Sequence, residues 1–279
     1  MSDKRIREEF VRPQTITELA IDSHAHLFDE CDEESIIKNM QNDGICAIVN
    51  MAGSIQSALH ASELSKSNDN IYYMFGLHPY NTDCYNDEYI KLLHELANKD
   101  KGRLVGLGEI GLDYHVDNPT KEEQIECFVK QIKLADELNL PISLHIRDAH
   151  ADAINILKDN KQYLNNGGII HCFSGGVDEV KEYLSLGFFI SISGAITFKK
   201  KKEQISSLEL AVKEIPLDRL LLETDAPFLC PAPYRGLNNE PKYVLVTAVY
   251  LADLLQVDVN ELIKITRENV CELLKIKKD

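Results

Sequence analysis

The fold is decided by an alternation that begins with LAIDSHAHL at residues 19–27 and continues with ICAIVNMA at 45–52 and IYYMFGL at 71–77. Each run is short and rich in apolar and β-branched residues, as buried strands are, and a longer segment with helical periodicity follows it. Strands that are joined by helices pair in parallel. The pattern predicts eight strand–helix units, with the remaining strands at 103–110, 140–146, 168–173, 188–196 and 217–225.

The number of units selects the architecture. Eight units in about 260 residues fit a closed (β/α)₈ TIM barrel better than an open doubly wound sheet, and the chain contains neither G-x-G-x-x-G nor a P-loop. We therefore predict a single-domain α/β TIM barrel over residues 19–279. Residues 1–18 form an N-terminal extension, either a cap over the closed end of the barrel or a flexible arm, and residues 258–276 add an extra C-terminal helix. Segment 121–138 illustrates the helical period, with apolar side chains three or four positions apart at Ile125, Phe128, Val129, Ile132, Ala135 and Leu138.

The composition narrows the class of function. The chain has 279 residues, with 30 Lys and Arg against 45 Asp and Glu, a net charge of −15. This balance argues against non-specific coating of nucleic acid, although a local nucleic-acid site is compatible with it. The seven cysteines are scattered without a C-x-x-C pair, and we find no signal-peptide stretch and no apolar run of about 18 residues. We expect a cytoplasmic protein with reduced thiols, no membrane partner, no obligate protein partner and a monomeric state.

Polar residues fall at the ends of the predicted strands, which is where active sites of this barrel lie. His24 and His26 end the first strand, and because they are two residues apart their side chains point to the same side. Burying a cluster of imidazoles and carboxylates is costly unless a cation partners it. The sequence therefore predicts a divalent-metal site made by His24, His26, Glu109, His145, His171 and Asp225.

Seven motifs occur in order along nearly the whole chain after residue 20. With these motifs the chain resembles the TatD family of metal-dependent hydrolases, within the amidohydrolase-like barrel superfamily. The motifs are Asp22-Ser-His-Ala-His26, Gly76-Leu-His-Pro79, Gly108-Glu-Ile-Gly-Leu-Asp-Tyr114, His145-Ile-Arg-Asp148, His171-Cys-Phe-Ser-Gly175, Glu223-Thr-Asp-Ala-Pro227 and Asn239-Glu-Pro241.

The resemblance implies two divalent metal ions. We assign His24, His26 and Asp225 to one ion, the other two histidines to the second, and Glu109 as the bridge between ions about 3.5–4 Å apart. Four nitrogens and two carboxylates suit Zn²⁺ or Mn²⁺, and Mg²⁺ is acceptable if water and substrate complete its shell, so the identity of the metal stays open. We expect Asp225 and Glu109 to be the catalytic residues, with Asp225 also acting as general base.

Further polar residues surround the predicted ligands. Glu223 and Asp22 each either orient a histidine ligand through its free ring nitrogen or form a buried ion pair with an arginine. His78 either contacts substrate or caps its loop. The lysines at 199–202 either bind phosphate or form a solvated face. The candidate substrate contacts are His78, Arg147, Lys199, Lys200 and Arg235.

The implied activity is hydrolysis of DNA phosphodiester bonds by a metal-activated water at single-stranded or frayed strand ends. The family usually has basic residues where this chain has Leu237 and Asn238, and a second aromatic residue where His115 stands, so its substrate contacts differ. An ester or amide hydrolase, such as an aminoacyl-tRNA deacylase or a small amidase, is the alternative. A third hypothesis is a non-catalytic binding protein on an enzyme scaffold.

Overall fold

The computed structural model describes residues 10–28, 32–198 and 206–277, and in these ranges the predicted barrel is confirmed. Eight strands form one sheet in chain order, and each strand pairs in parallel with the next. The strands are β1 (Ala20–Ala25), β2 (Ile45–Ala52), β3 (Ile71–Phe75), β4 (Leu104–Asp113), β5 (Ile142–Arg147), β6 (Gly168–Ile170), β7 (Phe189–Ile192) and β8 (Leu220–Leu222).

The barrel closes where β1 meets the segment that follows β8. An isolated parallel bridge joins Ala25 to Ala226. The backbone N–H of Asp225 donates to the carbonyl of His24 at 2.9 Å, and that of His26 donates to the carbonyl of Ala226 at 2.7 Å. The seam of the barrel thus lies within the metal-ligand motifs.

Helices cover the outside of the sheet, and their starts carry the expected caps. At the start of α4, Thr120 and Glu123 form a reciprocal capping box. The α-helices are α1 (Glu33–Asn39), α2 (Ile55–Ser67), α3 (Asp87–Lys99), α4 (Lys121–Glu137), α5 (His150–Asp159), α6 (Val177–Ser185), α7 (Ser207–Lys213), α8 (Val244–Leu255) and α9 (Val259–Leu274). Short 3₁₀ turns occupy Pro79–Cys84, Lys161–Tyr163, Gly194–Thr197, Leu217–Arg219 and Pro241–Tyr243.

The C-terminal ends of four strands differ from those predicted by three or four residues. β6 stops at Ile170, so His171 lies directly after the strand rather than within it. β4 continues to Asp113 because its second half keeps pairing with β5, so Glu109 lies inside the strand rather than at its end. β7 stops at Ile192 because the Ser193 side chain caps the following 3₁₀ turn. β8 ends at Leu222, which places Asp225 in the loop after the strand.

The core has two parts. The larger packs the helices against the outside of the sheet. In the smaller, buried residues of seven strands, several of them near the strand starts, cluster with Val270, Cys271 and Leu274 near the end of α9. The end of α9 therefore covers the N-terminal end of the barrel and leaves the opposite end for the site.

Residues 10–18 of the predicted N-terminal extension contact the C-terminal helices. The Asn260 side chain accepts from the backbone N–H of Thr17 at 2.8 Å, and Arg267 pairs with Glu18 at 2.7 Å. The ring of Phe10 packs edge-on against Tyr243, 5.4 Å between centroids. Residues 1–9 of the extension lie outside the described residues.

Within the described chain, no single helix has both the length and the apolar character needed to cross a membrane. The stretch Pro241–Leu255 and the helix Val259–Leu274 meet these criteria only when taken together, and they are bent by 112° at their junction.

Candidate metal centre

The centre begins with the close approach of β4 and β5. Gly111 has φ of +140°, and a Cβ at this position would lie 2.1 Å from the carbonyl oxygen of His145. Only glycine fits here, because the backbones come together where Glu109 of β4 faces His145 of β5. The glycine of the Gly108–Tyr114 motif therefore positions two of the predicted ligands.

The two oxygens of Glu109 face different histidine pairs. Oε2 lies 3.5 Å from Nε2 of His24 and 3.9 Å from Nε2 of His26. Oε1 lies 2.9 Å from Nδ1 of His145 and 3.5 Å from Nε2 of His171. This carboxylate therefore stands between the two predicted halves of the centre.

Asp225 completes the cluster from the loop after β8. Its Oδ1 lies 3.5 Å from Nε2 of His26, 3.7 Å from Nε2 of His24 and 3.8 Å from Nε2 of His171. Its φ of +60° is in the left-handed region, which aspartate tolerates better than most residues. All six predicted ligands are thus brought together at one end of the barrel.

Two further carboxylates lie behind His145 and His171, on the sides of the rings away from Glu109. Oε1 of buried Glu223 lies 2.9 Å from Nδ1 of His171 and also accepts the backbone N–H of Cys172 at 2.7 Å. Of the two interpretations of Glu223, its position corresponds to orienting a histidine. The sequence reasoning did not identify Asp113, whose Oδ2 lies 3.0 Å from Nε2 of His145 and accepts from the Tyr80 hydroxyl at 2.7 Å. The available signal was a charged residue four positions after Glu109 within the same buried strand.

Both interpretations of Asp22 are wrong in this structure. Its carboxylate accepts from the backbone N–H of Thr224 at 2.9 Å, from the Thr224 hydroxyl, and from the backbone N–H of His24 at 3.3 Å. It contacts neither a histidine ring nitrogen nor an arginine among the described residues, because the loop after β8 lies alongside β1 and brings Thr224 to it. Asp22 therefore fixes the seam of the barrel.

The side chains fit a divalent cation. Both ring nitrogens of buried His24 have no hydrogen-bond partner among the described residues, although buried polar atoms are normally paired. One ligand atom each from His24, His26 and Asp225 lies within 4.8 Å of the others, and the same is true of His78, Glu109 and His145. Mixed imidazole and carboxylate sets of this kind suit divalent transition metals.

The carboxylates and imidazoles of the centre shift each other's pKa values. Burial opposes the ionised form of Glu109, but His171 and His24 hold the pKa of this carboxyl well below its ordinary value. Burial would also lower the pKa of His171, yet Glu223 and Glu109 raise it to about 10. The ionised carboxylates are therefore stabilised by nearby positive charge, which protonated imidazoles or divalent cations can supply.

Three of the five predicted substrate contacts, His78, Arg147 and Arg235, lie within the described residues. Nδ1 of His78 accepts from the backbone N–H of Tyr80 at 3.3 Å, so this residue caps its loop, while its Nε2 lies 3.9 Å from Glu109. Arg147 is exposed at the end of β5, and the guanidinium of Arg235 lies over the ring of Phe198 at 3.7 Å. Lys199 and Lys200, with the rest of the 199–202 run, lie outside the described residues.

Several known proteins are similar to this chain in sequence and in fold. The family described as TatD related DNase matches residues 21–275. An uncharacterized metal-dependent hydrolase, YabD of Bacillus subtilis, is 39% identical over 92% of this chain and 100% of its own length. A Pectobacterium atrosepticum protein named 3′-5′ ssDNA/RNA exonuclease TatD is 31% identical over 88% of this chain and 95% of its own length.

A solved structure agrees with these sequence matches. The crystal structure of the TatD homologue YJJV from Escherichia coli superposes with a TM-score of 0.85 at 28% identity, and the match covers 92% of this chain and 98% of that one. The matched range spans both halves of the centre, from the strand of His24 to the loop of Asp225. The chain belongs to the TatD family of metal-dependent hydrolases.

Proposed function

We propose that this protein is a divalent-metal-dependent phosphodiesterase that cleaves DNA at single-stranded or frayed strand ends. The observation that carries the proposal is the division of one carboxylate between two histidine pairs, with the oxygens of Glu109 at 2.9–3.9 Å from the four histidines predicted as ligands. A carboxylate with one oxygen toward each pair could serve two neighbouring ions, and pairs of ions are used in sites that cleave phosphodiester bonds.

The six predicted ligands form two sets, one for each ion. His24, His26 and Asp225 would hold one, His145 and His171 the other, and Glu109 would contact both. A pair of divalent ions at this position would neutralise phosphoryl oxygens and lower the pKa of the attacking water.

Asp225 is the residue that would accept the proton of the attacking water. Although burial opposes its ionised form, His26, His171 and His24 lower the pKa of this carboxyl below its ordinary value. Asp225 is therefore ionised at neutral pH and can accept a proton from the attacking water as general base. Asp113 and Glu223 hold the imidazoles of His145 and His171 in orientation, as carboxylates behind histidine ligands commonly do.

The mouth suits an anionic chain. His78 and Arg147 would contact phosphate oxygens beside the scissile group. A relative carries the name of a 3′-5′ ssDNA/RNA exonuclease, which supports a nucleic-acid substrate, whereas YabD is named only as a metal-dependent hydrolase. RNA and aminoacyl esters therefore belong among the substrates tested.

The test is hydrolysis by the purified protein with Mg²⁺, Mn²⁺ or Zn²⁺. End-labelled single-stranded DNA, blunt duplex DNA, RNA and an aminoacyl ester are compared, each with and without chelator. We expect fastest loss of nucleotides from single-stranded DNA, full suppression by chelator, and restoration by added metal. Metal-dependent cleavage of the ester with no cleavage of any oligonucleotide would instead establish the alternative hydrolase activity.

A further inference from the structure

An aromatic side chain stands in solvent beside the metal centre. Phe228 follows Asp225 by three residues and is 59% exposed. Its backbone N–H donates to the carbonyl of Asp225 at 2.8 Å, and its carbonyl accepts from the side-chain amide of Asn239 at 2.6 Å. Two hydrogen bonds thus fix the backbone of Phe228, while the residue is more than half exposed to solvent.

The ring lies against one of the proposed metal ligands. The centroid of Phe228 is 6.0 Å from that of the His26 imidazole, with the planes at 71°. Phe28 contacts the same imidazole from another side, at 5.9 Å and 88°. Single exposed apolar residues are common on protein surfaces. Here, however, the exposed ring shares an edge contact with a residue of the centre and is held there by its backbone.

We propose that Phe228 is a stacking platform for the nucleobase next to the phosphate that is cleaved. This inference rests on the proposed function, because a base lies one sugar away from a phosphate held at the centre. Stacking tolerates any sequence, since every base has a π-face. A base within an intact duplex already stacks on its neighbours and cannot offer that face, so the platform selects single-stranded ends.

The natural absence of tryptophan from the chain provides a direct test. Phe228→Trp introduces one indole at the platform, and Leu59→Trp, at a residue that is 48% exposed on α2, is the matched control. The probe is a phosphorothioate-linked oligothymidylate, which resists cleavage, and the reference is the same oligomer without bases.

We expect the base-bearing oligomer to quench the emission of Phe228→Trp, and to bind this variant about 5- to 100-fold more tightly than the abasic oligomer does. The emission of Leu59→Trp should not change. Equal quenching by the abasic oligomer, or by an intact duplex, would overturn the proposal.

Kinetics provide a second readout that a purely structural role would not reproduce. Phe228→Ala should lower kcat/KM on single-stranded DNA by about 5- to 100-fold. The loss should shrink when one nucleotide of the substrate, the stacked one, is abasic, and Phe228→Leu should be intermediate. An equal loss at every abasic position, or a changed oligomeric state in size-exclusion chromatography, would assign Phe228 to folding or self-association instead.

The two proposals fail separately. If no oligonucleotide is cleaved with any metal while base-dependent quenching persists, the hydrolytic function is wrong, and what stands is base stacking on Phe228 without cleavage. If cleavage is normal and quenching ignores the bases, the platform is wrong and the hydrolytic function stands.

Discussion

Each end of the barrel buries a carboxylate, Asp100 at the N-terminal end and Glu109 at the C-terminal end, but the groups around the two carboxylates differ. At the turn before β4, Asp100 accepts from the Tyr73 hydroxyl at 2.7 Å and from the Ser62 hydroxyl, and Nζ of Lys66 lies 3.0 Å away. At the mouth, Glu109 is surrounded by imidazoles, and both ring nitrogens of neighbouring His24 have no hydrogen-bond partner within the described chain.

The direction of the pKa shift does not separate these two sites. Burial opposes ionisation of Asp100, yet Ser62, Tyr73 and Lys66 lower its pKa, just as histidines lower that of Glu109. What differs is the kind of partner. Asp100 is surrounded by protein groups that can donate to it, two hydroxyls at Oδ2 and the Lys66 ammonium 3.0 Å from Oδ1, whereas both ring nitrogens of His24 lack a hydrogen-bond partner within the described chain and are left for a ligand.

The largest effect should come from Glu109→Gln. The amide loses the charge that faces both histidine pairs, so we expect turnover to fall by about 10³-fold or more while the fold remains intact. Steady-state kinetics and thermal unfolding measure the two quantities, and Glu126→Gln, at an exposed residue of α4 that pairs with Lys130, is the control. Wild-type turnover in Glu109→Gln would remove this residue from the mechanism.

Asp100→Ala should do the reverse. Removing the carboxylate leaves Tyr73, Ser62 and Lys66 without their shared acceptor, so the free energy of unfolding should fall by about 2–4 kcal/mol. Turnover per folded molecule should not change. Urea denaturation tests this, with Asp69→Ala as control, because Asp69 pairs with Arg103 at the surface and should contribute less than about 1 kcal/mol. A loss of turnover without a loss of stability would contradict the contrast between the two ends.

Asp113→Asn should produce an intermediate effect at the mouth. The amide can still accept from His145 but loses the negative charge of the carboxylate, so metal affinity should fall by about 10- to 100-fold. Isothermal titration with Mn²⁺ or Zn²⁺ measures the affinity directly. The control is Asp152→Asn, whose exposed carboxylate accepts from Tyr114. If both variants bind metal like the wild type, Asp113 has no part in orienting the histidine.

The smallest effect is a pH dependence of stability from Asp100. Because the pKa of Asp100 is lower in the folded state than in the unfolded chain, its contribution is complete above the unfolded value, about 3.9, and is lost as the pH falls through the folded value. The stability difference between wild type and Asp100→Ala should therefore be constant from about pH 5 to 8 and shrink in more acidic solution. Denaturation series at several pH values measure it, and a difference that grows on acidification would show that the sign is wrong.

Much of the fold and of the site could be predicted because local patterns encode them. Alternating strand and helix periods predicted the eight-stranded barrel, which the structure confirms. Parallel strands bring their C-terminal ends to one face, so His24, His145 and His171 could be grouped from their places near the ends of three separate predicted strands. The prediction of Glu109 at the end of β4 was less accurate, because the pairing of β4 with β5 extends to Asp113.

The amino-acid sequence by itself determined the barrel, the face that carries chemistry and the six side chains that meet there, since strand and helix periods depend on neighbouring residues. Only the tertiary structure decided that each oxygen of Glu109 faces a different histidine pair, that Asp113 stands behind His145, and that Asp22 binds Thr224, which is 202 positions away. These contacts depend on register shifts between strands and on the path of the loop after β8. Such distances arise only when the whole barrel closes, so no short stretch of chain contains them.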